Sequence, residues 1–194
     1  MNAQLEKITA DLDSASGRLH RLTDGLAEWL WATRPSQAGW SAAQCVEHLN
    51  LTSLAFVPRL QEAIGRAGVR DAARRSYRRD LVGWLIGMSA GPMMRIGSWR
   101  LGRINTTAPF RPTEAPALDS TVAEFDRLQD DLRQVVRRAD NLAIDTVKVV
   151  SPFDARISYS VYSALVIIPR HQVRHLEQAE ESARAILAGR RPAR

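Results

Sequence analysis

Leu5, Ile8, Leu12, Ala15, Leu19, Leu22, Leu26 and Trp29 follow one another at steps of three and four residues. Those steps place every apolar side chain on one stripe of an α-helix, whereas a strand would need a step of two. A long, single stripe belongs to a helix that lies lengthwise against others, so the spacing predicts a first helix about two to three dozen residues long. Pro35 and Gly39 then break the chain. A second helix is predicted from Ser41, whose hydroxyl can cap it, with Gln44 three residues on to complete a capping box. Cys45, Leu49, Thr52 and Phe56 form its buried stripe, and Pro58 is expected to kink it.

Two more helices complete the pattern. The third is expected to open near Asp119–Thr121, with Glu124 as capping-box partner to Thr121, and to bury Leu118, Val122, Phe125, Leu132 and Val136. Residues 144–157 read as an extended crossing or short strand, and the last helix spans roughly 158–187, ending before Gly189. Between the second and third helices, 68–80 is polar and basic, 81–97 is apolar with Gly83, Gly87 and Gly91 spaced four apart, and 103–117 reads as an exposed, proline-rich loop. The sum is an all-α, four-helix bundle with a long insertion at about 68–117, one domain over 1–187, and a disordered basic tail at 188–194. A chain that is 45% apolar and 25% charged has the makeup of an ordinary globular protein rather than a disordered or fibrous one.

The net charge of +6 would ordinarily suggest nucleic acid or an anionic membrane. Its distribution weakens that. Arg70, Arg74, Arg75, Arg78 and Arg79 against Asp71 and Asp80 leave +3, and Arg190, Arg191 and Arg194 supply the other +3. Of 27 basic residues only Lys7 and Lys148 are lysine, which reads as a composition bias. The basic run is therefore expected to be a solvated face, with neither nucleic acid nor membrane as partner. The single cysteine, Cys45, cannot form an internal disulfide. The N-terminal residues lack a signal-peptide pattern, and the uncharged stretch from Leu81 to Met94 is shorter than the roughly 18–20 residues of a spanning helix. A cytoplasmic, soluble protein is expected.

Four histidines are present, and their placement says more than the charge. His171 and His175 are four apart on the last helix, so their rings project from one face and can meet at one point. That geometry suits a metal ion, and it equally suits two surface histidines. The pair borders the apolar seam of Leu165, Ile168, Leu176, Ala179 and Ala183, with Gln178 on the same line. His48, beside the buried stripe of the second helix and near Gln44, is the third candidate ligand. Three neutral imidazoles would leave a coordination position open, as catalytic rather than structural sites do.

Two stretches carry a family likeness. Gly39-Trp40-Ser41-Ala42-Ala43-Gln44-Cys45-Val46-Glu47-His48-Leu49 resembles the entry to the second helix of the DinB-like superfamily. Arg170-His171-Gln172-Val173-Arg174-His175-Leu176-Glu177-Gln178 is similar to that family's last-helix motif, and Val150-Ser151-Pro152-Phe153 to the segment before it. The resemblance implies a four-helix bundle with a three-histidine metal site at His48, His171 and His175, and the preference of imidazole ligands points to zinc or nickel there. It also implies a metal-dependent enzyme acting on a small molecule. The reaction would be thiol-dependent transfer or isomerisation with a low-molecular-weight thiol as cosubstrate. Metal-dependent hydrolysis, or a non-catalytic, stress-related binding module, are the alternatives. Pro169 departs from the pattern and is expected to bend the last helix beside the site.

Other residues read more plainly. Cys45 is expected to be a buried packing residue, His20 solvent-facing, and Glu47 and Glu177 surface carboxylates. Gln44 and Gln178 are the candidates to support the histidines from behind. The 81–97 block has three readings: a membrane-interface segment, a helix packed closely on the bundle, or half of a homodimer interface.

Overall fold

The computed structural model describes residues 1–37, 39–71, 73, 76–90, 95–96, 99–100, 107–113 and 116–189. Four long helices form the bundle: α1 (Ala3–Thr23), α3 (Ala42–Gly65), α5 (Leu118–Arg138) and α6 (Val161–Gly189). Two short helices, α2 (Glu28–Ala32) and α4 (Leu81–Ala90), lie in the connections. Helices α1 and α3 each pack against both α5 and α6. Their seams meet in a core that includes Leu5, Leu12, Leu60, Leu132, Val136 and Leu165. Within it, the amides of Gln129 and Gln172 bond each other reciprocally at 3.2 and 3.0 Å, and Gln129 also donates to the carbonyl of Leu12. Buried amides paired this completely fix the rotation of α6 against α5, because any turn would strand them.

The first seam is interrupted. α1 stops at Thr23, Gly25 adopts φ +69°, and α2 restarts the chain in a new direction. Only a residue without Cβ takes that left-handed turn cheaply, so Asp24-Gly25 ends the helix although the apolar spacing runs on through it. Trp31 is buried and Trp29 is not, and the Trp31 Nε1 donates to the Pro116 carbonyl at 3.0 Å. Ser41 and Gln44 form the capping box of α3, and Pro58 sits inside that helix.

The expected box at Thr121 and Glu124 does not form. α5 begins at Leu118, so Thr121 already lies inside it and its hydroxyl donates back to the Ala117 carbonyl. Glu124 instead pairs with Arg127. The last helix also starts later than expected, because 158–160 is a strand. β3 (Lys148–Val150) and β4 (Ser158–Ser160) form an antiparallel hairpin, with Val149 opposite Tyr159. α6 runs on through Ala188 and Gly189, so those two residues belong to the helix, and the rest of the basic tail lies outside the described residues.

The long connection is tied down at both ends. Tyr77 stacks on Tyr162 of α6, and the Asp80 carboxylate accepts from Lys148, the Ser163 hydroxyl and the Ser160 amide. α4 then packs on α6 through its glycine face. Two-residue strands β1 (Arg95–Ile96) and β2 (Trp99–Arg100) pair antiparallel beyond it. Arg74, Arg75 and Gly91 lie outside the described residues. The loop expected over 103–117 contains a 3₁₀ turn at Ala108–Phe110 whose Phe110 side chain is buried.

Candidate metal centre

His48 projects from α3 across to α6, where His171 and His175 stand on successive turns. One nitrogen from each of the three rings lies within 4.8 Å of those from the other two. The Nε2 atoms of His48 and His171 are 3.4 Å apart. Two nitrogens each about 2.0–2.1 Å from a tetrahedral centre would be separated by roughly 3.3 Å, so this spacing fits a shared cation.

The ring orientations are fixed from behind. His48 Nδ1 donates to the Phe110 carbonyl at 2.8 Å, which leaves Nε2 with its lone pair toward the other rings. His175 Nδ1 donates to Gln178 Oε1 at 3.1 Å, with the same result at its far nitrogen. An outer acceptor that holds the proton on one nitrogen and frees the other for a metal is the usual support for ligating histidines. Burial holds all three rings below the ordinary histidine value, His171 to about 3; the Arg174 cation pushes each the same way, and the neighbouring rings add to it at His171 and His175. Three neutral bases with converging lone pairs and no carboxylate among them form a donor set that a divalent cation suits and a proton does not.

Aromatic rings enclose the cluster. Trp40 stacks on His175, with centroids 6.0 Å apart, and lies 5.1 Å from His48. Phe153, from the hairpin loop, packs edge-on to His171 and against Phe110. Trp40, Phe153, Phe110 and Arg174 are the participants that sequence reasoning missed. Trp40 stands inside the motif that located His48. Phe110 acts through its backbone carbonyl, which leaves no side-chain signal to read.

Of the two glutamines proposed as supports, Gln178 touches a ligand candidate and Gln44 does not. Gln44 uses its amide on the Ser41 backbone and the Thr113 carbonyl. Glu47, one residue before His48, accepts from the Thr113 amide and hydroxyl. Together they grip Thr113 and so hold the preceding turn where the Phe110 carbonyl reaches His48. Glu177 pairs with Arg18 rather than with a histidine. His20 sits on the surface, its Nε2 3.0 Å from Asp126, and Cys45 is fully buried with its thiol pushed up by desolvation.

A family model described as the DinB superfamily matches residues 11–179, a span that holds the three clustered histidines, the whole of α3 and α5 and the larger part of α1 and α6. This chain belongs to the DinB superfamily. No curated protein and no solved structure gives a significant match to it. Within this DinB superfamily member the histidine cluster lies between α3 and α6, and Pro169, buried in α6, precedes it by half a turn. Among the described residues no helix is long and apolar enough to cross a membrane.

Proposed function

We propose that this protein is a metal-dependent enzyme acting on a small molecule, with His48, His171 and His175 as ligands of a divalent cation. Zinc or nickel fits a site of neutral imidazoles. The observation that carries the reading is the convergence of three ring nitrogens within 4.8 Å, two of them oriented by outer acceptors. Bound there, the cation supplies Lewis acidity with at least one position left for a reactant. The chain's own residues do the rest. Phe110 and Gln178 hold the imidazole protons on the outer nitrogens, Trp40 and Phe153 wall the site against water, and Arg174 adds positive charge beside it.

A low-molecular-weight thiol as cosubstrate, in a transfer or isomerisation, is the proposed reaction class. It rests on the likeness to thiol-dependent members of the superfamily. The test is metal quantification on purified protein beside His171→Ala and His175→Ala, followed by a turnover screen of thiol acceptors and small hydrolysable substrates. Stoichiometric metal lost in both variants, with thiol-dependent turnover, is the expected result. Hydrolysis without thiol would shift the reading to a hydrolase, and metal without turnover on either panel to a binding module. Absence of stoichiometric metal from the wild type would remove the site.

A further inference from the structure

Helix α4 presents its faces in an unusual order. Gly83 and Gly87, four residues apart, face α6 so closely that a Cβ at Gly83 would meet the Ser163 Cβ at 2.2 Å. The large apolar residues therefore point away from the bundle. Leu81, Val82, Trp84, Leu85 and Met88 are each between 42% and 72% exposed. Positions 81, 84, 85 and 88 form one continuous stripe along the helix. A surface helix ordinarily buries such a stripe, and a contiguous apolar patch left facing water marks an interaction surface.

The charge around the stripe indicates what covers it. From Leu81 to Thr113 the sequence contains no Asp or Glu, while Arg95, Arg100, Arg103 and Arg111 fall in that span, and the preceding run of Arg70, Arg74, Arg75, Arg78 and Arg79 outweighs Asp71 and Asp80 by three charges. Arg78 and Arg79, at the start of α4, are exposed. Apolar side chains with a tryptophan among them, preceded by Arg78 and Arg79 in a segment of basic sequence, match the boundary between acyl chains and anionic headgroups. A second copy of this chain fits poorly, because a two-fold contact through the stripe would bring Arg78 and Arg79 of one copy toward those of the other, with no Asp or Glu within α4 to offset them. α4 is a ten-residue helix, too short to span a bilayer, so it would lie along the surface.

We propose that the outward stripe of α4, with its flanking arginines, docks this protein on an anionic lipid surface. The sequence alone favoured a solvated basic face; the outward stripe changes that balance. Arg170, the neighbour of His171, donates to the Gly87 carbonyl at 3.1 Å and so ties the inner side of α4 to α6. The proposal does not depend on a metal being bound.

The test is co-sedimentation of the full chain with large unilamellar vesicles of phosphatidylcholine, with or without an equal share of phosphatidylglycerol. Binding is expected on the mixed vesicles and to be at least about tenfold weaker on phosphatidylcholine alone. Leu85→Glu with Met88→Glu should lower it by at least about tenfold with an unchanged melting temperature, since both side chains face solvent. Arg78→Gln and Arg79→Gln should each lower it about fivefold. Quenching by brominated lipid should fall in Trp84→Phe. Failure to sediment with either vesicle overturns the proposal, and so does binding that the double glutamate variant leaves intact. A dimer in light scattering that the same variant dissolves, without vesicle binding, would assign the face to a second copy instead.

Discussion

Replacing Gly83 by alanine tests how α4 is seated. The new Cβ would lie 2.2 Å from Ser163 Cβ, 2.3 Å from its Oγ and 2.8 Å from Asp80 Oδ1. None of these atoms is free to move aside. Ser163 is fully buried in the first turn of α6, and its hydroxyl is held by Ser160 Oγ at 2.9 Å and Asp80 Oδ1 at 2.7 Å. α4 must withdraw by more than an ångström, a strain of about 1–3 kcal/mol for overpacking. The hydroxyl–carboxylate bond, worth about 1.5–3 kcal/mol, is stretched or lost with it. Alanine recovers about 1 kcal/mol of helix propensity, so the net loss is about 1.5–5 kcal/mol. In a chain of this size that lowers the melting temperature by about 3–20 °C. Gly87→Ala is the control. Its Cβ would meet only Ile167 Cγ1 at 3.6 Å and the flexible end of Arg79 at 3.3 Å. It should be neutral or slightly stabilising. Thermal and urea melts of both variants decide the matter, and equal effects at the two positions would refute the inward glycine face.

Gln178→Leu removes the acceptor behind His175 and should weaken divalent-metal affinity about 10–100-fold, measured against a competing chelator, while the melting temperature of metal-free protein barely moves. Asp80 supplies the pH prediction. Burial alone would raise its carboxyl, but hydrogen bonds from Lys148, Ser163 and the Ser160 amide hold it down to about 2. Its contribution is therefore complete above the unfolded value near 4 and is lost as pH falls from there toward 2, and Asp80→Asn should flatten urea-melt stability across that window. Cys45, fully buried and with its thiol pushed up, should resist iodoacetamide in the folded protein and react once urea unfolds it, as read by mass spectrometry.

Much of the bundle could be read from short-range pattern. The box of Ser41 and Gln44 involves groups three residues apart, and both bonds form as the spacing requires. The shared face of His171 and His175 follows from the pitch of one helix. Where a local signal was misread, a competing local signal was present. Asp24-Gly25 breaks a seam whose apolar spacing continues past it, and Ala117 starts α5 one turn before the residues that looked like its cap.

Longer-range facts had no such signal. His48 and His171 stand 123 residues apart in the chain, and their rings meet only because α3 and α6 pack at one register and one rotation. Spacing marked out His171 and His175 and a place beside the buried stripe made His48 a candidate, but only the family likeness joined the three into one site. The Phe110 carbonyl reaches His48 because Gln44 and Glu47 hold Thr113, a backbone contact that no choice of side chain at 110 announces. The same holds for α4. Its glycines and its large apolar residues are plain in the sequence, but which set faces the bundle depends on how closely α4 can approach Ser163.

The sequence by itself determined the four long helices, the capping box of α3 and the shared face of His171 and His175, because those rest on neighbours within four residues. Tertiary structure alone decided that His48 completes the cluster, that its outer nitrogen is held by a loop carbonyl, and that α4 turns its apolar stripe outward. Those outcomes depend on packing between segments far apart in the chain, where the fit of buried groups, and not the local spacing, selects one register from many.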